Sequence, residues 1–335
     1  MVEQVARPVT SQRDPQSLRA QLEAWLGTPA TALEIPETNG MSSETVLFEA
    51  FSKPLVARLA PDPAAMPVFP RYDLALQAQV MWLVRAHSAV PAPVVVQAGE
   101  DFVIMERAYG DVPPDVMPYN FGSWLTEAQP EQRQRLQHSS VRLLAQLHSI
   151  DPALMPFDRE STLADQNTFY EWVCADGVRS PLIEQCLAWL DRHQPSERDV
   201  RFSWGDARIG NVMYRDFEPV AVFDWEMAGL APREADLAWF VFLHRFFEDL
   251  AHGFELPGLP DFLRQDEVCA QYEELTGYTP RDMVWYELYA ALRFAIIYFR
   301  IQRRRIHFGE ASMPDDPDEM IIHHALLRRM LEAVR

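Results

Sequence analysis

The sequence has almost no lysine, few cysteines and no long apolar run. Lys53 is the one lysine among its 30 basic residues, so arginine is expected where other proteins carry lysine. Cys174, Cys186 and Cys269 are widely spaced and form no C-x-x-C pair, which indicates neither a disulfide framework nor a thiolate metal site. The first residues lack the apolar core of a secretion signal, and no segment offers roughly 18 uninterrupted apolar residues for a membrane span. We therefore expect a protein of the reducing cytoplasm.

Basic residues are also fewer than acidic ones. The 49 acidic and 30 basic side chains give a formal net charge of -19, which repels phosphate backbones and anionic lipid surfaces. We therefore expect neither nucleic acid nor a membrane as a partner, and nothing in the composition indicates an oligomeric state. An acidic surface also attracts cationic substrates, although such surfaces more often serve only solubility.

The 335 residues, 48% of them apolar, are enough for one large domain or two lobes. In the N-terminal part, "ALEIP", "ETVLFEAF" and "PLVARLA" predict three strands joined as antiparallel hairpins. The period of two puts Val56 and Arg58 on one face of the third strand and Leu55, Ala57 and Leu59 on the other. "PAPVVVQ" and "EDFVIMER" add two strands, and "DLALQAQVMWLVRAH" predicts a helix that packs on the sheet.

Beyond a hinge in "AYGDVPPDVMP", apolar residues recur at helical spacing, as in "EQRQRLQHSSVRLLAQLHSI" and "VWYELYAALRFAIIYFRIQRRR". The predicted fold class is therefore α+β. A small lobe over residues 1–107, with a polar tail at 1–17, holds a five-stranded antiparallel sheet and a helix. A larger, mainly helical lobe spans 108–335.

The stretch "FSWGDARIGNVMYRDFEPVAVFDWE", residues 202–226, concentrates the chemistry. "VRFSW" and "VMYRD" predict strands on either side of "GDARIG", and "PVAVFDWE" predicts a further strand that ends in acids. A hairpin of this kind places Asp206 and Asn211 on its loop and Asp224 at the end of the neighbouring strand, so the three side chains converge. We expect a catalytic loop at 204–211 and a metal-binding strand end at 224–226.

Each of these side chains offers oxygen atoms to a hard cation. A lone Asp or Asn in a loop is usually a turn former, but three at this spacing between strands favour a metal and phosphate site. Mg²⁺ keeps several waters and commonly takes one or two carboxylates plus substrate phosphates, which Asn211 and Asp224 suit. Asp206 then remains to accept the proton of an attacking hydroxyl, and Arg208 is placed to neutralise charge on the transferred phosphoryl group.

The same residues carry a resemblance to a known family. "WGDARIGNVMY" with "VAVFDWEMAGLAPREADLAW" resembles the signature of the aminoglycoside phosphotransferase and choline kinase-like family, H-G-D-x-x-x-x-N followed by I-D-W-E. "LAQLHSID" resembles that family's L-x-x-L-H helix end, and "TNGMSSETVLFE" is a counterpart of its nucleotide loop. The similarity covers most of residues 33–240. The W-G-D-x-R-x-G-N form is most similar to bacterial phosphotransferases without a defined substrate and to the kinase-like domain fused to some acyl-CoA dehydrogenases.

The resemblance implies a protein-kinase-like fold, use of ATP with Mg²⁺, and phosphorylation of a hydroxyl on a small molecule. Carried over by position, Asp206 is the catalytic base, and Asn211 and Asp224 are the Mg²⁺ ligands. On the nucleotide side, the resemblance implies contacts from a further set of residues: Gly40, Ser42 and Ser43 to phosphates, and the backbone of Met105, Glu106 and Arg107 to adenine. A turn between two strands favours glycine and serine in any case, and the strand at 105–107 would be apolar in any core.

Several positions depart from the family pattern. Trp204 replaces the usual histidine, Arg58 lies where the strand lysine is expected, and Gln77 occupies the place of the glutamate that pairs with it. Arg58 can still bind phosphate as a permanent bidentate cation, and Gln77 can accept its hydrogen bond. Lys53 is the rival phosphate ligand, but "SKP" predicts a solvated turn outside the strand.

Other polar residues near the motif have two readings. Glu226 either faces the substrate or is an ordinary strand-end acid. Asp236 precedes an apolar helix and is expected to cap it rather than to act in catalysis. His148 ends an apolar helix and is expected to be a hydrogen-bonded structural histidine.

The predicted function is ATP-dependent phosphotransfer to a hydroxyl of a small molecule. Aminoglycosides suit the negative charge, whereas hydroxy acids or their thioesters need arginines, which Arg293, Arg300 and residues 303–305 could provide. One alternative is an ATP-binding pseudokinase that acts as a scaffold or sensor, suggested by Arg58 and Gln77. A second is a metal-dependent hydrolase, which needs a nucleophile or a second metal site.

Overall fold

The five strands predicted in the N-terminal part form one antiparallel sheet. The computed structural model describes residues 13–36 and 43–335. In it, the sheet order is β1-β2-β3-β5-β4. The strands are β1 Thr31–Glu34, β2 Glu44–Ala50, β3 Lys53–Leu59, β4 Val95–Gly99 and β5 Phe102–Glu106. This confirms the predicted small lobe with its five-stranded antiparallel sheet.

Both faces of this sheet are covered by helices. Leu55, Ala57 and Leu59 are buried against α1, Pro15–Leu26, together with Leu18 and Leu22 of that helix. On the opposite face, α2, Leu74–His87, packs against β4 and β5. The predicted alternation along β3 is therefore correct, and it leaves the other face of that strand toward the helical lobe.

Helix α1 overlaps the predicted polar tail. Asp14 caps it by accepting from the backbone N–H of Ser17 at 2.9 Å, and Pro15 occupies the first helical turn. A capping aspartate followed by proline favours helix initiation at this point. The predicted polar tail at 1–17 is therefore too long at its C-terminal end, while residues 1–12 lie outside the described residues.

The rest of the chain is mainly helical, as predicted. Helices α7 and α9 form its centre, where Phe242 and Phe246 of α7 pack on Phe294 of α9 with ring centroids 6.1 and 5.3 Å apart. Within the described ranges, no helix is both long and apolar enough to cross a membrane. The helices are α3 Trp124–Glu127, α4 Pro130–His148, α5 Leu163–Val173, α6 Pro181–Arg192, α7 Arg233–Gly253, α8 Gln265–Thr276, α9 Met283–His307 and α10 His324–Val334.

Two small sheets in the helical lobe frame the loop at 204–211. Strand β6, Val200–Ser203, pairs with β9, Gly229–Pro232, whereas β7, Val212–Arg215, pairs with β8, Glu218–Val222. The predicted hairpin of "VRFSW" with "VMYRD" is therefore wrong. The tight connection lies instead at Asp216 and Phe217, which both have positive φ angles of 51° and 63°, as two-residue hairpin turns require.

Candidate active site

Asp206, Asn211 and Asp224 lie together, as their spacing predicts. The Asn211 side-chain amide donates to Asp206 Oδ2 at 2.6 Å and to its backbone oxygen at 3.1 Å. The backbone N–H of Phe223 donates to the Asn211 carbonyl at 2.9 Å, which holds the residue before Asp224 against the loop. The chain thus brings two carboxylates and an amide to one place, and their individual roles stay predictions.

Trp204 makes a second link between the loop and this strand end. Its indole is 1% exposed and donates to the carbonyl oxygens of Phe223 at 2.9 Å and Asp224 at 3.2 Å. An indole N–H can only donate, and here it satisfies backbone acceptors. The departure from histidine therefore serves to fasten the Asp224 segment to the loop.

Asp206 is a buried carboxyl with a strongly shifted pKa. Its Oδ1 accepts from Trp239 Nε1 at 2.8 Å, in addition to the Asn211 bond. Burial and then the charge of Asp224 raise its pKa to about 7, against the opposing hydrogen bonds from Asn211 and Trp239. A carboxyl whose pKa lies near neutrality is suited to accept and release a proton.

Asp236 anchors the loop and does not cap its helix. It lies inside α7 and is completely buried, whereas Pro232 occupies the cap position. Its carboxylate accepts from Ser203 Oγ at 2.8 Å and from the backbone N–H groups of Trp204 and Gly205 at 2.8 and 2.9 Å. The predicted cap is wrong because this side chain faces inward, toward the end of β6.

His148 completes this anchor. Its Nε2 lies 3.1 Å from Asp236 Oδ2, and its Nδ1 lies 2.7 Å from the hydroxyl of Tyr272. Burial alone would raise the pKa of Asp236, but the hydrogen bonds from His148, Ser203 and Gly205 hold it below its usual value. The prediction of a hydrogen-bonded structural histidine is confirmed.

The backbone at Gly205 leaves no room for a side chain. Its φ is 84°, and an added Cβ would collide with the carbonyl oxygen of Met227. Only glycine combines this left-handed conformation with so close an approach. The "WGD" sequence is therefore required by the way the loop packs, independently of any ligand.

Asp224 keeps its charge in this setting. Burial alone would raise its pKa, but the guanidinium groups of Arg58 and Arg208 hold the pKa below its usual value. Its φ of 52° is uncommon for a residue with a side chain. An ionised, partly exposed carboxylate at the end of β8 is the kind of group that binds a cation.

The donor set fits Mg²⁺ in a nucleotide complex. Asn211 uses its amide nitrogen for Asp206, which leaves Oδ1 as an oxygen donor beside the Asp224 carboxylate. In the part of the chain that the structure describes, no group of three or more His, Cys, Asp or Glu side chains could hold a metal ion. The ion would therefore complete its shell with water and phosphate oxygens, which is how Mg²⁺ is commonly bound.

Arg58 reaches this group from the sheet. Its Nε and Nη2 donate to Ser43 Oγ at 2.8 and 2.6 Å, and its Nη1 donates to Asp224. Burial alone would lower the pKa of Arg58, but the carboxylates of Asp224 and Glu226 raise it above the usual value. The strand phase thus places a permanent cation at the predicted position.

The predicted hydrogen bond from Arg58 to Gln77 is wrong. Gln77 is 6% exposed on α2, but among the described residues Arg58 bonds to Ser43 and Asp224 instead. A carboxylate attracts the guanidinium more strongly than a neutral amide does. Gly40 and Ser42, predicted to contact phosphates, lie outside the described residues.

Lys53 forms its ion pair outside this cluster, with Glu106. It is the first residue of β3 rather than part of a turn outside it, and it forms an exposed salt bridge with Glu106 at 2.7 Å. The backbone N–H groups of Glu106 and Arg107 donate to Val94 O at 2.9 Å and Pro54 O at 3.1 Å. These two predicted adenine donors are thus already used within the sheet, and Met105 is buried.

Arg208 lies between two carboxylates. Its Nε donates to both oxygens of Asp206 at 3.1 Å, and its Nη1 donates to Asp115. Asp115 was not identified from the sequence because it lies in the segment interpreted only as a hinge. Burial lowers the pKa of Arg208 below its usual value, and the negative charges of Asp224 and Glu226 oppose that shift.

The arginines of α9 are largely committed to structure. Arg300 donates to the carbonyl of Pro67 at 3.1 and 3.0 Å, and Arg304 donates to that of Ala65 at 2.7 Å. They fasten the loop between β3 and α2 to the helical lobe. Arg293 differs, because it lies over the ring of Trp239 at 4.6 Å and donates to Gly205 O at 3.1 Å.

Solved structures with this fold were found among phosphotransferases. A crystal structure from Ralstonia eutropha, whose aminoglycoside phosphotransferase assignment is provisional, has a TM-score of 0.69 and 19% identity, covering 95% of this chain and 97% of that chain. A thermostable mutant of the aminoglycoside phosphotransferase APH(4)-Ia, in ternary complex with AMP-PNP and hygromycin B, has a TM-score of 0.59 and 15% identity, covering 94% and 98%. These likenesses show a kinase-like phosphotransferase fold.

A curated relative from Mus musculus, acyl-CoA dehydrogenase family member 10, is 25% identical over 240 residues. The match covers 67% of this chain but only 22% of the relative, so the chain spans about a fifth of that protein's length. The model of the phosphotransferase enzyme family matches residues 35–267, a range that contains the loop, the strand end and Arg58. The chain therefore belongs to the phosphotransferase enzyme family.

Proposed function

We propose that this protein transfers the γ-phosphoryl group of ATP to a hydroxyl of a small molecule. The observation that carries the proposal is the position of Asp206, a buried carboxyl with a pKa of about 7 that is hydrogen-bonded to Asn211. Arg208 is bonded to the same carboxyl, and Asp224 lies beside it with Arg58. A base, oxygen ligands for a cation and two guanidinium groups are the parts that phosphoryl transfer requires.

The residues divide the work by their chemistry. Asp206 accepts the proton of the acceptor hydroxyl as its oxygen attacks the γ-phosphorus, and the bond to the β–γ bridging oxygen breaks to release ADP. Arg58 and Arg208 bind phosphate oxygens and offset the charge on the transferred group. When bound, Mg²⁺ would neutralise and orient the phosphates, held by Asn211 Oδ1 and the Asp224 carboxylate. The neighbour with AMP-PNP supports ATP as the nucleotide, which we place between the sheet and the loop.

The acceptor is inferred to be a small hydroxylated compound. The net charge of -19 favours cationic amino sugars, and the neighbour with hygromycin B is consistent with this. Hydroxy acids are the other class of acceptor, and they would need an arginine to bind the carboxylate. Among the arginines considered for this role, Arg293 lies beside the catalytic loop and forms no ion pair with the described residues. The cysteines of this protein are free thiols, which supports the proposal that it acts in the reducing cytoplasm.

The direct test is Asp206→Asn, assayed with Mg-ATP over a panel of aminoglycosides and hydroxy acids. Loss of the base is expected to lower transfer roughly 100-fold to 10,000-fold, while nucleotide affinity measured by calorimetry stays close to that of the wild type. Asp191→Asn, an exposed aspartate on α6, is the control for the loss of one carboxylate. Full activity in Asp206→Asn would remove Asp206 from the role of base.

The same assay separates the two alternatives. A pseudokinase scaffold or sensor would bind ATP in the wild type without phosphorylating any acceptor, and Arg58 in place of lysine is the observation that favours it. A metal-dependent hydrolase would release phosphate from an ester instead of producing a phosphorylated alcohol. Detection of the phosphorylated acceptor by mass spectrometry supports the kinase proposal against both.

A further inference from the structure

Asp115 is a carboxylate beside the catalytic loop whose role no motif predicts. It lies in the segment between β5 and α3, 93 positions before Arg208, and accepts from Arg208 Nη1. The side chains of Asp115 and Arg208 are 29% and 26% exposed. The pair therefore lies at the edge of the site, where partial desolvation makes a charge-assisted hydrogen bond stronger than on an open surface.

The loop leaves a space that this carboxylate fills. A Cβ added at Gly210 would overlap the Asp115 carboxyl group, whose Cγ would lie only 2.6 Å away. Gly210 has no positive φ that would by itself require glycine. A side chain at the glycine of "RIGN" would therefore push the Asp115 carboxylate aside, which links this position of the loop to the ion pair.

The segment on both sides of Asp115 is fixed to the helical lobe. The backbone of Asp111 exchanges two hydrogen bonds of 2.8 Å with Tyr214 of β7. Downstream, Tyr119 is 2% exposed, and its hydroxyl lies 2.7 Å from Nδ1 of His244. The carboxylate is therefore presented from a fixed backbone rather than from a freely moving loop.

The geometry of a guanidinium group gives this contact a consequence. The three nitrogens of Arg208 lie in one plane, so fixing two of them fixes the direction of the third. Nε is held by Asp206 and Nη1 by Asp115. The remaining Nη2 is then available to a phosphate oxygen in a direction set by those two carboxylates.

We propose that Asp115 is a positioning residue that holds the Arg208 guanidinium in the orientation in which it binds the transferred phosphoryl group. This rests on the proposed phosphotransfer function. Asp115 acts through Arg208 and touches neither the nucleotide nor the acceptor. Gly210 contributes to the same arrangement, because a Cβ at this position would displace the carboxylate from where it now lies.

The test compares Asp115→Ala, Gly210→Ala, Arg208→Met and the two double variants that combine Asp115→Ala with each of the others. Calorimetry gives the ratio of Mg-ATP to Mg-ADP affinity, which isolates contacts to the γ-phosphate, and steady-state kinetics give kcat and KM. Asp111→Ala is the matched control, since its exposed side chain has no hydrogen bond or ion pair among the described contacts. Melting temperatures confirm that each variant is folded.

We expect Asp115→Ala and Gly210→Ala to lower the affinity ratio, to raise KM for ATP accordingly, and to reduce kcat roughly 10-fold to 100-fold. Asp115→Ala should add nothing in the Arg208→Met background. Gly210→Ala should add nothing once Asp115→Ala has vacated the space. Asp111→Ala should match the wild type.

Three results would overturn the proposal. They are a higher ATP to ADP affinity ratio in Asp115→Ala, additive losses in either double variant, and wild-type values in Asp115→Ala. If the wild type binds Mg-ATP but phosphorylates no acceptor, the proposed function fails by itself. The affinity ratio then still decides whether Asp115 positions Arg208.

Discussion

The two sides of the candidate site are held in different ways. On the helical side, the completely buried Asp236 accepts from Ser203, from the backbone of the loop at 204–211 and from His148, so the loop that carries Asp206 is fixed by the protein alone. On the sheet side, the partners of Arg58 among the described residues are Ser43 and Asp224, and Asp224 belongs to the helical side. Asp206 therefore needs no ligand to be in place, whereas Arg58, the proposed phosphate ligand, rests on a carboxylate that is also the proposed Mg²⁺ ligand.

The difference explains which departures from the family pattern the site tolerates. Trp204 replaces a histidine on the helical side. Its indole donates to the backbone carbonyls of Phe223 and Asp224 and so holds the loop against that segment. Arg58 replaces a lysine on the sheet side without a glutamate partner, because Asp224 supplies the opposite charge. Variants that act on one side only can break or sharpen this comparison.

The largest effect is expected for Asp236→Asn. An amide at this position cannot accept hydrogen bonds from all the groups that now donate to Asp236. Buried donors left unpaired cost on the order of 3 kcal/mol in the free energy of unfolding. The loop would also shift, so transfer should fall by roughly 100-fold. Urea unfolding and kinetics measure both. Asp249→Asn, in the same helix but in an exposed pair with Arg329, should stay near the wild type, and equal behaviour of the two would contradict the anchor.

The next largest effect is expected at low pH, which should lower the stability of the helical side. Burial lowers the pKa of His244 to about 4, and this histidine is bonded to Tyr119 and the carbonyl of Leu259. Its folded-state pKa lies below the unfolded value of about 6.5, so this stability is complete above pH 6.5 and is lost as the pH falls toward 4.

The loss from this histidine amounts to about 3 kcal/mol across that range. Urea unfolding at a series of pH values should give a slope that His244→Asn reduces. The matched control is His138, an intermediate-exposure residue of α4, for which His138→Asn should leave the slope unchanged. An unaltered slope in His244→Asn would show that the acid sensitivity arises elsewhere.

On the sheet side, Arg58→Ala should weaken Mg-ATP binding by roughly 10-fold to 100-fold, because it removes charge-assisted hydrogen bonds to phosphate. Lys53→Ala is the matched control on the same strand. Its exposed pair with Glu106 contributes little, so affinity should change by less than about twofold. Isothermal calorimetry with both variants provides the measurement, and equal losses would count against Arg58 as the phosphate ligand.

The smallest effect concerns the link between the two sides. On the proposed function, nucleotide phosphates would have to displace Asp224 from Arg58, and Mg²⁺, when bound, would hold the Asp224 carboxylate. Asp224→Asn should therefore bind ATP about as well with EDTA as with Mg²⁺, whereas the wild type should bind at least roughly tenfold more weakly with EDTA. Calorimetry in the two buffers tests this, and a retained Mg²⁺ dependence in the variant would remove Asp224 from the metal site.

Local patterns were sufficient for the sheet, for the phase of β3 and for the grouping of Asp206, Asn211 and Asp224. Such features depend on residues close in sequence, or on strand alternation, which a single chain displays directly. The pairing of β6 with β9 was not visible, because the whole β7–β8 hairpin separates these two strands in the sequence.

Contacts between distant segments could not be predicted. Arg58 and Asp224 are 166 positions apart, and Asp115 and Arg208 are 93 apart. Whether such charges meet depends on how the lobes and the connecting segment pack, which local propensity does not encode. The assignment of Asp236 to a helix cap failed for the same reason, since its true partners lie on β6 and α4.

The sequence alone determined the class of the fold, the location of the chemical groups and the presence of a permanent cation on the third strand, because periodicity, turn residues and side-chain chemistry are local properties. Tertiary packing alone decided which acid fixes the loop, which carboxylate Arg58 contacts and that Asp115 reaches Arg208. Those outcomes depend on burial and on the meeting of separate elements, which set both the pKa of Asp206 and the orientation of the guanidinium groups around it.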